Sequence, residues 1–340
     1  MNTEYVKEQI FKLMAIDSPS GYTDNAADYV IGELKRLGYA PKKTVKGGIV
    51  VEIGGNGNPL VFSAHIDTLG GMVAEIKDNG RLKLTRVGGL QPQNIEGENC
   101  KIKLRFGGEF DGCFMLNDPS VHVNGEYNTS KRDFSSMEVV VDAITTSKKE
   151  TEALGISVGD FVCFDPRTCI TETGYIKSRF LDDKLSVAML LEFARIVKEE
   201  SLILSRKVYL FITVYEEVGH GCSTSIPDDV TEIVCVDMGC IGSGLTCTER
   251  DVSICVKDGF GPYNFEVTSA LIKCAKDNAI AYAADVYPFY GSDADAALSS
   301  GFDIKHGLIG AGVYASHGYE RSHMDGVVNT IKLITNYVKA

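Results

Sequence analysis

Five short segments carry residue types able to hold a divalent cation, each at the end of an apolar run or in a loop. They are His65-Ile66-Asp67, Asp182-Asp183, Glu216-Glu217, Asp237 and the loop holding His323. His65 follows the apolar run 60–64, and Asp67 stands two residues on. Side chains two apart on an extended chain share a face. The Asp67 carboxylate is therefore expected to accept the second ring N–H of His65, fixing its tautomer and strengthening it as a ligand. Asp182 and Asp183 open a helical pattern, where an Asp cap and the helix dipole already favour them. A carboxylate can also bridge two cations through its two oxygens. Glu216 and Glu217 end the apolar run 207–215. Two acids there are costly unless paired, bound to a cation or wetted, and at the switch into the Gly219 loop both can face one pocket. Asp237 ends a second apolar run, 231–236, under the same argument. In the loop 316–325, His317 and His323 compete as ligand. His122, His220 and His306 have no such context and read as surface or satisfied histidines. Taken together, two histidines with three or four carboxylates suit a pair of divalent cations, Zn, Mn or Co. Such a pair can activate a water and stabilise a tetrahedral oxyanion.

These residues need a scaffold that gathers strand ends. Helical spacing of apolar residues predicts helices over 5–14 and 24–37, the first stopped by Ser18-Pro19-Ser20-Gly21 and the second closed by Gly38. Residues 48–53 and 60–64 read as strands, the second apolar throughout and so buried on both faces. From about 68 to 168 the pattern changes to short alternating runs, 73–76, 82–85, 100–106, 138–143 and 161–164, separated by Gly, Asn and Asp turns. After 175 helix and strand alternate again. A long amphipathic helix is expected over 182–200, strands over 208–215 and 233–236, and helices over 265–279 and 327–337. The expectation is an α/β domain of residues 1–67 and 169–340, interrupted by a β-rich insertion, 68–168.

The charge balance narrows the partners. The 340 residues hold 34 Lys+Arg against 46 Asp+Glu, a formal net charge of −12. An acidic surface repels phosphate backbones and anionic lipid, so nucleic-acid and membrane partners are not expected. No apolar run approaches the roughly 18 residues of a membrane span. The N-terminal residues lack a signal-peptide pattern. None of the ten cysteines forms a Cys-x-x-Cys pair, which suits buried thiols in a reducing cytoplasm.

The segments SPSGYT at 18–23, SAHIDT at 63–68, LDDK at 181–184, YEEVG at 215–219, VD at 236–237, GSDADA at 291–296 and ERSH at 320–323 are, in order and spacing, similar to the M42 family of metallopeptidases. The family includes glutamyl and deblocking aminopeptidases, some historically labelled endoglucanase M. The resemblance implies a mixed-sheet metallopeptidase domain with helices on both faces. It implies His65 and Glu217 as terminal ligands, Asp237 and His323 completing the two shells, and Asp182 as the bridging carboxylate. Glu216 would be the general base and Asp67 the partner of His65. It also implies that the insertion is a dimerisation domain and that dimers assemble into a hollow tetrahedral dodecamer. Three details differ from the usual family pattern: Lys184 stands where Arg is common, His220-Gly221-Cys222 where Arg-Gly-Ala is usual, and the last loop reads Ser-His-Met-Asp.

The function expected from these residues is a cytoplasmic aminopeptidase with two metal ions per subunit, acting on short peptides. A glycosidase with Glu216 in its carboxylate pair would leave both histidines without a role, and the chain has no Trp for a sugar platform. A non-catalytic metal-holding shell would have no use for Glu216.

Overall fold

All six residues of the strand Leu60–His65 are buried. In the computed structural model, which describes residues 1–340, this strand pairs in parallel with Val208–Thr213 on one side and Glu232–Val236 on the other. Lys305–Val313 adds in parallel to Glu232–Val236. Antiparallel Val252–Lys257 follows, with Tyr282–Val286 parallel to it. Beyond Val208–Thr213 lie the antiparallel Ile49–Gly54 and Lys42–Lys43. Gly239–Cys240, paired on Lys305–Val313, completes nine strands.

Alternate residues of a strand point to opposite faces. Leu60, Phe62 and Ala64 enter a core shared with helices Thr3–Met14, Asp24–Arg36, Leu181–Glu199, Phe265–Asp277 and Met324–Val338. Val61 faces the other way, into a core with Ala294 and Ala297 of helix Asp293–Ser299. The sheet is thus mixed, with helices on both faces, as expected for the fold class. Local chemistry sets the helix ends: the Asn2 side chain accepts from Tyr5 N at 3.1 Å. Gly38 takes a φ of +84°, and Tyr39 N closes on Leu34 O at 3.0 Å.

Three strands, Val252–Lys257, Tyr282–Val286 and Lys305–Val313, and the helix Asp293–Ser299 lie outside the elements expected from the sequence. Lys305–Val313 is rich in glycine because neighbouring backbone passes close to it. A Cβ on Gly310 would stand 1.5 Å from the carbonyl oxygen of Asp237. Four parallel strands bring their carboxyl ends to one edge, where ligands of α/β sheets collect.

Met1–Asp67 and Arg167–Ala340 form one compact unit, and Thr68–Pro166 forms another. The second begins its return two residues earlier than 168. Arg167 already belongs to the sheet unit: its carbonyl accepts from Tyr319 Oη at 2.8 Å and its guanidinium lies over the Tyr319 ring. Within Thr68–Pro166, six strands close an antiparallel barrel in the order Gly70–Ile76, Leu82–Val87, Met137–Val141, Glu109–Leu116, Glu98–Lys103 and Phe161–Phe164. The strand Glu109–Leu116 is an addition to the runs read from the sequence. The run from Cys100 stops at Lys103 because Leu104 and Gly108 close a turn, Leu104 N to Gly108 O at 3.1 Å. No helix of the chain is long and apolar enough to cross a membrane. All ten cysteines are free thiols.

Candidate metal centre

His65 is the last residue of its strand and is buried. Its Nε2 lies 3.0 Å from Asp182 Oδ1, 3.6 Å from Glu216 Oε2 and 4.0 Å from Asp237 Oδ2. A second imidazole, His317, has its Nε2 3.4 Å from Asp182 Oδ2 and 3.6 Å from Glu217 Oε2. Asp182 therefore offers one oxygen to each imidazole. Two triplets share it: His65, Asp182 and Asp237, and Asp182, Glu217 and His317, each with donor atoms within 4.8 Å of one another.

Local backbone explains the placement of each group. Asp182 is extended (φ −74°, ψ 102°) and Asp183 is also non-helical, so the pair precedes the regular helix and does not cap it. The Asp182–Asp183 peptide is cis. Released from a capping role, Asp183 accepts from His65 N at 3.0 Å and holds the strand end. Glu216 and Glu217 lie in a tight turn between two left-handed residues, Tyr215 (φ 68°) and Gly219 (φ 81°). That turn aims both carboxylates into one cleft, which Asp182, Asp237 and His317 also line.

Asp67 does something other than expected. Its main-chain oxygen, not its carboxylate, is the near partner of His65 Nδ1, at 2.9 Å against 3.7 Å. The carboxylate is taken by other donors: Glu216 N at 3.1 Å, Glu217 N at 3.3 Å and the Ser20 hydroxyl. A carbonyl oxygen only accepts, so Nδ1 carries a proton, and Nε2 is the nitrogen turned toward the carboxylates of the site. Asp67 thus orients the imidazole through its backbone and the Glu216–Glu217 turn through its side chain.

His323 is displaced from the site that the sequence suggested for it. It caps the helix Met324–Val338: its Nδ1 accepts from Asp325 N at 2.9 Å, and its Nε2 sits 2.8 Å from Thr173 O. Its ring stands edge-on to Tyr175. With both nitrogens engaged by backbone, His323 is outside both triplets, and His317 holds the place expected for it. Glu320, which sequence reasoning missed, is buried and accepts from both Asp182 N (3.2 Å) and His317 N (2.9 Å). It ties the two ends of the second triplet together. Its signals are its place at the head of the ERSH segment and its position three residues after a candidate histidine.

The electrostatics are those of a site built for positive charge. Burial pushes the Glu216 and Glu217 carboxyls well above the usual range, and repulsion from Asp237 and Asp182 adds to it. Asp237 is pushed up to about 7 by burial and the Asp182 charge, and Glu320 to about 8 for the same two reasons. Burial would also raise Asp182, but the imidazoles of His317 and His65 reverse this and hold it low. Burial presses His65 down, yet the surrounding carboxylates carry its net shift strongly upward. Two buried carboxylate oxygens, Asp183 Oδ1 and Glu217 Oε1, accept no hydrogen bond. Mutual repulsion of this kind is relieved by cations held among oxygen and imidazole donors, so the donor set fits divalent metal.

A mixed α/β sheet whose carboxyl edge carries two carboxylate–imidazole triplets with a shared aspartate has the donor set of a candidate metal site. The family model described as M42 glutamyl aminopeptidase matches residues 47–333, and the chain belongs to that family; it is a peptidase, a hydrolase of peptide bonds. A Bacillus subtilis (strain 168) protein named as an aminopeptidase, YhfE, is 42% identical over 98% of this chain and 97% of its own length. Among solved structures, a TET aminopeptidase from a Thaumarchaeota archaeon of marine sediment superposes with a TM-score of 0.90 at 19% identity, covering 100% of this chain and 97% of its own. The TET1 peptidase of Pyrococcus horikoshii, described as assembling into a tetrahedron or a large octahedral shell, superposes at 0.86 and 23% identity over 97% and 98%. At those identities the likeness concerns the fold.

Proposed function

We propose that this peptidase is a dinuclear metallo-aminopeptidase that removes single residues from the free N-termini of short peptides. The observation that carries the reading is the Asp182 carboxylate, shared between the His65–Asp237 and Glu217–His317 groups. We assign His65, Asp182 and Asp237 to one cation and Asp182, Glu217 and His317 to the other. When bound, two divalent ions (Zn, Co or Mn) supply Lewis acidity to a water and to the substrate carbonyl. Glu216 lines the cleft and belongs to neither triplet. It takes the proton of the attacking water and returns it to the leaving amine. Asp67 and Glu320 position these groups through the contacts described above. A protonated α-amine is drawn to the carboxylate end of the cleft, whereas an internal amide nitrogen is not. The amine thereby sets register, and only the first peptide bond reaches the water.

The test is a pair of peptides identical but for N-terminal acetylation. Mass spectrometry is expected to show stepwise loss of single residues from the free peptide only. Internal cleavage of both would make the protein an endopeptidase, and release of the blocked first residue would make it a deblocking enzyme.

We further infer that Thr68–Pro166 is an assembly unit and that the particle is a homododecamer built from dimers, like the dodecameric relative PhTET1-12s. The unit holds none of the proposed ligands, and Phe106, Ile144 and Val158 are exposed on it. Light scattering on the intact chain is expected to give a mass of about twelve subunits, following that relative. A fully active monomer would refute it. The ten free thiols suit a reducing, cytoplasmic setting.

A further inference from the structure

The cleft, about 530 Å³ in volume, has an acidic end at Asp182, Glu216 and Glu217 and an aromatic wall opposite in character. Two loops build that wall, 258–262 and 287–291. They are stitched together: Gly259 N donates to Tyr290 O at 3.0 Å, and Asp258 accepts from Phe260 N at 2.8 Å and from Tyr263 Oη at 2.7 Å. Phe260 is seated over Gly291, where a Cβ would come within 2.6 Å of its ring. Yet residues Phe260 and Phe289 are 76% and 97% exposed, and both line the cleft together with Met238 and Tyr290. Two phenyl rings exposed on these loops present apolar area that an incoming side chain can cover.

The charges on this wall are one-sided. The residues lining the cleft include no lysine or arginine; the imidazole outside the metal donors is His220. Lys46 stands behind the loop, its Nζ donating to the carbonyls of His220 and Gly221 and to Ser223 Oγ. The one carboxylate of the wall, Asp295, accepts from Ser292 N at 2.8 Å, and burial beside Asp258 holds it up at about 7. It is therefore a weak counter-ion for a basic side chain.

We propose that this cleft takes a large apolar side chain at the substrate's N-terminal position, laid against Phe260 and Phe289, and rejects an acidic one, so that the chain lacks the glutamyl preference its family is described by. This rests on the aminopeptidase reading. A pocket wall without lysine or arginine gives a substrate carboxylate no fixed positive charge as it loses water, a heavier penalty than a missing methylene.

The test uses the metal-loaded protein and the aminoacyl-coumarylamides of Leu, Ala, Lys and Glu. Leu is expected to have the highest kcat/KM, with Glu lower by about 100-fold. Phe289→Ala is expected to lower the Leu/Ala ratio of kcat/KM about tenfold, and Phe289→Leu to restore most of it. Turnover with Glu or Lys ranked first would overturn this inference and leave the aminopeptidase reading standing. No turnover of any of the four would overturn that reading itself. An unchanged Leu/Ala ratio in Phe289→Ala, with a changed particle mass by light scattering, would make Phe289 an assembly contact and sink the proposal.

Discussion

Glu216→Gln is expected to keep both metal ions while kcat falls on the order of 10²–10⁴-fold. The amide has the shape of the carboxyl and the same place in the turn, whose main-chain N–H groups are held by Asp67. Neither cation triplet includes Glu216. What the substitution removes is the capacity to accept a proton from the water and carry it to the leaving amine. Burial and the neighbouring Asp237 charge raise the Glu216 carboxyl out of the ordinary range, so the group holds a proton more readily than an exposed glutamate. Metal content by elemental mass spectrometry, read beside steady-state kinetics, checks it. Near-wild-type kcat in the variant would remove Glu216 from the proposed mechanism.

A second large effect separates the two histidines of the last loop. Asp182→Ala is expected to lose most of both metal ions, since each triplet loses its shared carboxylate and the other donors are left repelling one another. His317→Ala is expected to retain about half the metal, and His323→Ala nearly all of it. His323 serves the backbone: it caps the final helix and meets Thr173 O. Its removal is expected to cost about 1 kcal/mol of stability, seen as a lower denaturant midpoint at unchanged metal stoichiometry. Metal loss in His323→Ala with retention in His317→Ala would reverse the assignment.

The difference between those histidines shows where sequence reasoning runs out. They lie six residues apart in one polar loop, and no periodicity distinguishes them. The choice is made by pairing: Glu320–His323 forms a strand against Tyr175–Ser178, with His323 opposite Tyr175. That register turns His323 toward Thr173. His317, at a φ of 62° in the preceding turn, is left over the cleft. The Asp67 carboxylate departs from expectation for a similar reason. Spacing along the chain points it at His65, while the three donors that capture it come from residues 20, 216 and 217.

The sequence alone determined the features that depend on near neighbours. Buried strands announce themselves as unbroken apolar runs, so the positions of His65, Glu216, Glu217 and Asp237 at strand ends could be read directly. The change to short alternating runs near residue 68 marks a second unit because strand period and turn chemistry are local properties. The tertiary structure decided what depends on distance in space. It selected His317, brought in Glu320, moved Asp182 out of the helix and placed Lys305–Val313 inside the sheet. That last strand is hard to read because its glycines carry no side-chain signal. They are needed only because another segment, Asp237, passes where a Cβ would stand, and nothing in the run 305–313 records how near Asp237 comes.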